Sequence, residues 1–191
     1  MKKPPSGKKQ NERRQSLMTE RERIIQSVMD QYHSTSPNGE TADRFFMRAA
    51  LDLARAAASL GEVPVGCVIV RDGVIIAADF NGREETHDAV FHAECSAISK
   101  ACRLLGGWRL TRCTLYVTLE PCPMCAGAIW NARVPRVVFG AKDAKAGSFG
   151  SLINLNAYPL NHKPEIVHGI LEKEATTLLQ TFFSSRRKTK Q

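Results

Sequence analysis

The chain has 191 residues, 43% hydrophobic, 24% charged and 7% aromatic, which suits one globular domain with polar appendages and is too little for two full domains. No run of 18 apolar residues occurs, and Met1-Lys2-Lys3-Pro4-Pro5 leads into polar sequence, so neither a membrane span nor a secretory signal is expected and the protein is assigned to the cytoplasm. The formal charge of +8 divides into +3 over residues 1–40, +1 over 41–183 and +4 over 184–191, and such basic ends suit either contact with nucleic acid or a solvated tail.

Residues 1–40 hold little aliphatic sequence, several charge clusters and the breaker-rich run Ser34-Thr35-Ser36-Pro37-Asn38-Gly39. They read as a flexible basic extension with at most a short helix over 24–29. The folded domain is expected over 41–183, and 184–191 is expected to be a basic tail continuing the last helix. From 43 to 60, Phe46, Ala49, Ala50, Leu53, Ala57 and Leu60 recur at threes and fours and Gly61 follows, which predicts an amphipathic helix. The β-rich runs at 65–70 and 74–78 flank Arg71-Asp72-Gly73, a hairpin signal. A loop over 80–90 leads to a helix over 92–105 closed by Gly106-Gly107. A strand over 114–119, a short helix over 123–132 and a strand over 136–139 follow. After a long loop over 140–158 come a last short strand at 166–168 and a helix over 172–187. Strands alternating with helices predict an α/β fold in which helices cover both faces of a sheet.

Six cysteines are present, at 67, 95, 102, 113, 122 and 125. In a chain of this length without an export signal they serve metal binding, chemistry or packing more readily than disulfides. Only Cys122 and Cys125 have ligand-like spacing; Cys67, Cys95, Cys102 and Cys113 read as small buried hydrophobes. Two strings carry chemistry: Phe91-His92-Ala93-Glu94 and Glu120-Pro121-Cys122-Pro123-Met124-Cys125, each at the start of a predicted helix. A helix N-terminus favours ionised sulfur, the form that binds metal, and positions i and i+3 of its first turn share a side. With His92 as third ligand, one imidazole and two thiolates suit zinc and leave a fourth position for water. Glu94, two residues on, is then a carboxylate beside that water with proton transfer as its natural task. His87, His162 and His168 read as surface or structural residues.

Alone, a His-x-Glu triplet says little, and a Cys-x-x-Cys pair also fits redox chemistry. Together, His-Ala-Glu followed about thirty residues later by Pro-Cys-x-x-Cys is the signature of the zinc nucleobase deaminases. Over residues 43–187 the sequence resembles the bacterial tRNA-specific adenosine deaminases in particular. The likeness extends through Glu62-Val63-Pro64-Val65-Gly66, Asn81, Leu115-Tyr116-Val117-Thr118-Leu119-Glu120-Pro121-Cys122, residues 136–145 and Gly150-Ser151-Leu152. That resemblance implies a three-layer α/β/α cytidine-deaminase-like fold with a central mixed five-stranded sheet, one zinc (Zn2+) per subunit and a homodimer. It implies zinc-dependent hydrolysis of adenosine to inosine at the wobble position of tRNA anticodons, with His92, Cys122 and Cys125 holding zinc and Glu94 as acid/base. Asn81 would contact the edge of the flipped base, and the backbone at Ala93 and Leu119 would line its pocket. The anticodon stem-loop would meet a rim formed by the 141–148 loop, with Asp143 and Lys145, and by the end of the last helix. There Phe183, Arg186 and Arg187 would face RNA while Phe182 turns toward the core.

Three features depart from the family pattern: the polar extension over 1–40, Cys67 in the first strand and Cys95 directly after Glu94. Two other readings use the same strings. One is a deaminase of the same fold acting on a free base or nucleoside such as guanine or cytosine; the other is a zinc-stabilised RNA-binding protein without catalysis. The basic last helix and long rim loop count against the first, and Glu94 counts against the second.

Overall fold

Helical structure begins earlier than the hydrophobic pattern indicates. In the computed structural model, which describes residues 19–188, α1 spans Glu20–Ser34. Thr19 and Glu22 start it with a reciprocal capping box, the Glu22 amide donating to the Thr19 hydroxyl and the Thr19 amide to the Glu22 carboxylate at 2.8 Å. Within the 1–40 segment expected to be flexible with a short helix over 24–29, residues 20–34 therefore form a fifteen-residue helix docked on the rest of the chain. Tyr32 packs edge-on against Phe45 with ring centroids 5.0 Å apart and donates its hydroxyl to Asp52, while His33 Nε2 meets the Ile75 carbonyl at 2.9 Å. The helix buries only Arg21, Ile25 and Tyr32 outright, with Ile24, Val28 and Met29 partly buried beside them, so its apolar stripe is short and set among polar residues. Residues 1–18 and 189–191, parts of the expected basic ends, lie outside the described residues.

The remaining elements fall within a few residues of expectation. Helix α2 (Ala42–Ser59), capped by Thr41, buries Phe46, Ala49, Ala50, Leu53 and Ala57. Strands β1 (Gly66–Arg71) and β2 (Val74–Phe80) form an antiparallel hairpin whose turn residues Asp72 and Gly73 both have positive φ, the two-residue geometry that fits strand twist. A four-residue helix, α3 (Arg83–Thr86), occupies the loop before α4 (Ala93–Leu105). Then come β3 (Cys113–Leu119), α5 (Pro123–Asn131), β4 (Arg136–Ala141), a 3-10 turn at Leu155–Ala157, β5 (Glu165–His168) and α6 (Glu172–Lys188).

The sheet order is β2-β1-β3-β4-β5, antiparallel from β2 to β3 and parallel from β3 to β5. Alternation along each strand divides the core in two. Val68, Val70, Tyr116 and Val138 pack with α1, α2 and α6 residues such as Ile25, Phe46, Leu53 and Ala175. Cys67, Ile69, Leu115, Val117 and Phe139 pack on the opposite face with Ala97 and Ile98 of α4 and Ile129 of α5. This is the expected three-layer fold around a mixed five-stranded sheet. All six cysteines are free; Cys67 and Cys113 are buried as expected, whereas Cys95 and Cys102 are only half-buried. No described helix is long and apolar enough to cross a membrane.

Candidate active site

Two helices start side by side at the end of β3. His92 is the N-cap of α4, which puts Glu94 in its first turn; Cys122 is the N-cap of α5, with Pro123 at the first helical position and Cys125 one turn on. Proline suits that position because its missing N–H would have had no helical partner. The chain supplies Cys122 by leaving β3 through Glu120-Pro121, and α4 and α5 pack against one another so that their starts converge.

His92 Nδ1 lies 3.7 Å from Cys122 Sγ and 3.5 Å from Cys125 Sγ, and the three donor atoms all fall within 4.8 Å of one another. On a zinc tetrahedron with bonds of about 2.0–2.1 Å to nitrogen and about 2.3 Å to sulfur, the nitrogen and sulfur donors stand roughly 3.6 Å apart. The residues therefore fit zinc in donor chemistry and in spacing. The Cys125 thiol donates to Cys122 and holds the Cys122 thiol down at about 4, while Cys125 itself is pushed up; the contact with Cys122 raises His92. Cys95 Sγ is 3.8 Å from Cys125 Sγ, so the residue expected only to pack stands beside the ligand set.

Glu94 is 4% exposed, and burial raises its carboxyl pKa, which favours holding a proton. Its side chain, with His92 and Cys122, lines a cavity of about 140 Å³ whose other walls include Asn81, Leu119 and Asp143. Ala93 is fully buried between the two reactive residues. Asp143 accepts the amides of Lys145 (2.9 Å) and Ala146 (3.2 Å), stabilising the turn at the cavity mouth. Lys145 is not in this cavity. It lines a separate, larger groove of about 880 Å³ with Phe183, Arg186 and Arg187. Phe182 is 8% exposed and Phe183 46%, the division expected from the helical period. Arg186 donates to the Gly61 carbonyl and stacks on Phe182, whereas Arg187 reaches Ser184 Oγ at 3.3 Å.

Three further residues belong to the site. Glu62, 1% exposed, accepts Asn81 Nδ2 at 3.3 Å and the Glu85 amide at 2.8 Å, fixing the Asn81 amide against one cavity wall. Glu120 accepts the amides of Asp143, Phe149 and Ser151 and so ties the 141–151 loop to the end of β3. Those contacts hold its carboxyl below the usual range against the opposing effect of burial. Arg83 joins the cavity lining. Glu62 and Glu120 stand within runs that carry the family resemblance, but their partners are distant in sequence, and nothing local marks them as supports.

The family model for the cytidine and deoxycytidylate deaminase zinc-binding region matches residues 40–141. A tRNA-specific adenosine deaminase of Bacillus subtilis (strain 168) is 49% identical over 151 residues, covering 78% of this chain and 94% of that protein. One from Streptococcus pyogenes serotype M1 is 44% identical over 147 residues, covering 76% and 86%. A solved structure from work on A-to-I editing by tRNA:A34 deaminases at the wobble position of transfer RNA is 44% identical, with a TM-score of 0.69 and coverage of 70% of this chain and 98% of that one. The sequence identity and the matching fold place this chain in the family of tRNA-specific adenosine deaminases, and its His92, Cys122 and Cys125 fit the zinc-binding region that the family model describes.

Proposed function

We propose that this protein is a zinc-dependent tRNA adenosine deaminase that converts adenosine to inosine at the wobble position of anticodons. The observation that carries the proposal is Glu94, a buried carboxyl in the cavity lined by His92 and Cys122. A site that only held metal for stability would have no use for that acid.

His92, Cys122 and Cys125 would hold zinc, whose Lewis acidity would bring the pKa of a water toward 7. Glu94 would take a proton from the attacking water as oxygen adds to C6 of adenine and would deliver that proton to ring N1. Glu94 would then carry the proton of the added C6 hydroxyl to the amino nitrogen, so that the C6–N bond breaks, C6=O forms and nitrogen leaves as ammonia. Asn81, steadied by Glu62, holds the edge of the base, and a base that leaves such buried polar groups unpaired is rejected. Single-stranded anticodon loops can splay a base into a small cavity at modest cost, whereas a paired base must also give up its pairing.

The groove lined by Lys145, Phe183, Arg186 and Arg187 supports RNA as substrate over free guanine or cytosine. It borders the same loop that closes the base cavity, and it offers cations for phosphates and a ring for stacking. We also infer a homodimer working in the cytoplasm; Leu104, Trp108, Leu152 and Tyr158, all more than half exposed, supply apolar surface for a second copy, and sedimentation equilibrium tests it. The activity is tested with an anticodon stem-loop carrying wobble adenosine, with guanine and cytosine assayed in parallel. Inosine at the wobble position supports the proposal; ammonia from a free base with intact RNA refutes the substrate.

A further inference from the structure

Arg21 is the charged side chain that α1 buries, at 8% exposed, and its guanidinium reaches the far end of β2. Nε and Nη2 donate to Asp79 Oδ1 at 3.0 and 2.7 Å, and Nη2 also donates to the Phe80 carbonyl. Nη1 donates to Glu85 Oε2 at 2.8 Å and to the Asn81 carbonyl at 3.5 Å. The rings of Phe80 and Phe91 face the cation at 3.9 and 4.8 Å. Asp79, fully buried, uses its other oxygen to accept the Ser96 hydroxyl and to pair with Lys100 at 2.8 Å.

These partners lie on both sides of the base cavity. Phe80 ends β2, Asn81 follows it directly, and Asn81 lines the cavity. Phe91 directly precedes His92, and Ser96 stands two residues beyond Glu94 in α4. One planar fork thus joins the segment carrying Asn81 to the segment carrying His92 and Glu94. The intervening chain is shaped around it: a Cβ on Gly82 would lie 2.6 Å from Arg21 Nη1 and 3.0 Å from Phe91 Cδ1, so a side chain there would displace the guanidinium or the ring. A pair serving stability alone would need only Asp79; here the remaining donors go to backbone carbonyls and to Glu85 of the connecting loop.

We propose that Arg21 is a positioning residue for deamination, and that α1 is a working part of the active site which fixes Asn81 relative to the His92–Glu94 turn. This rests on the deaminase reading above. Arg21 acts through the backbone at Asn81, the Phe91 ring and the Asp79–Ser96 link, without touching substrate. Small displacements of groups that must meet one base are costly in rate, while the RNA contacts proposed for Lys145, Phe183 and Arg187 lie on other elements. Loss of Arg21 is therefore read in kcat, with KM for the stem-loop little changed.

The test uses the full-length, zinc-loaded protein with Arg21→Ala, Arg21→Lys and Glu85→Ala, each assayed at a temperature where circular dichroism shows it folded. Arg21→Ala lowers kcat about tenfold to a hundredfold with KM within about twofold, and Arg21→Lys, which keeps the charge but loses the fork, does not restore it. Glu85→Ala removes the loop-side partner of the same guanidinium from a half-exposed position and lowers kcat a few-fold. In both alanine variants amide exchange over 82–92 quickens while that of α2 and β1 is unchanged, and zinc content stays at one per chain. Unchanged kcat in Arg21→Ala, or lost kcat with unchanged exchange over 82–92, overturns the proposal. Should Arg21→Ala not fold, unchanged kcat and exchange in Glu85→Ala overturn it equally. A wild-type protein that makes no inosine refutes the deaminase reading instead, and the exchange measurement still decides whether Arg21 clamps the loop.

Discussion

The carboxylate of Asp43, in the first turn of α2, clasps the guanidinium of Arg136, the first residue of β4, through parallel contacts of 2.8 and 2.9 Å. The Tyr116 hydroxyl donates to the same carboxylate at 3.0 Å, so one acid fastens a helix start to two central strands. Bonding to Arg136 holds the Asp43 carboxyl below its ordinary value. A carboxyl depressed in the folded state stabilises above its unfolded pKa and loses that contribution as pH falls through the folded value. Asp43→Asn should cost about 1–2 kcal/mol at neutral pH, discounted for partial exposure, and the gap from wild type should close below about pH 4. Urea denaturation at several pH values checks it; a gap independent of pH would remove the electrostatic account.

For the proposed acid/base, Glu94→Ala should keep one zinc per chain and lower deamination by at least about 10²–10⁴-fold. Metal analysis beside an inosine assay reads both quantities. Normal turnover in the variant would eliminate the proton route through Glu94.

Cys122 and Cys95 should behave differently although both thiols stand close to Cys125. Cys122→Ala, like treatment with a strong chelator, should lose zinc and lower the melting temperature, since the remaining donors would face one another without an ion. Cys95→Ala should retain zinc, because His92, Cys122 and Cys125 already form the converging set. Zinc loss from Cys95→Ala, or full zinc in Cys122→Ala, would reassign the ligands.

At the rim, affinity for the anticodon stem-loop should fall steeply with salt. Arg187→Ala and Lys145→Ala should each weaken binding and make the slope of log K against log salt shallower by about 0.7 if each contacts one single-strand phosphate. Fluorescence anisotropy across a salt series measures it. Slopes identical to wild type would move RNA binding to another face.

The sheet and the metal donors were legible because their signals are local. β-rich apolar runs and the hairpin turn at Asp72-Gly73 mark β1 to β4, and the helices starting at Ala93 and Pro123 announce themselves by the motifs at their caps. Helix α1 was legible only over 24–29. Its capping box, Thr19 to Glu22, is a local signal that low hydrophobicity masked, and its main anchor is an arginine whose partners lie about sixty residues away. Glu62 escaped for a similar reason, since its roles depend on Asn81 and Glu85 being brought to it by the fold. The periodicity that separates buried Phe182 from exposed Phe183 could be read, but the Arg186 contact with Gly61 joins chain segments far apart and could not. A chain beginning at Thr41 would lack Arg21, leaving Asp79 with Ser96, Lys100 and the Phe80 amide, and would uncover Phe45 where Tyr32 packs. It should unfold at lower denaturant than the full chain, and equal midpoints would show α1 to be dispensable.

The most direct measurement is site-resolved inosine formation. The zinc-loaded protein is incubated with an anticodon stem-loop containing adenosine at the wobble position and at other loop positions, and inosine is read by reverse transcription. Inosine confined to the wobble position, and absent with Glu94→Ala, is the expected result. Unmodified RNA alongside ammonia released from guanine or cytosine would contradict the account.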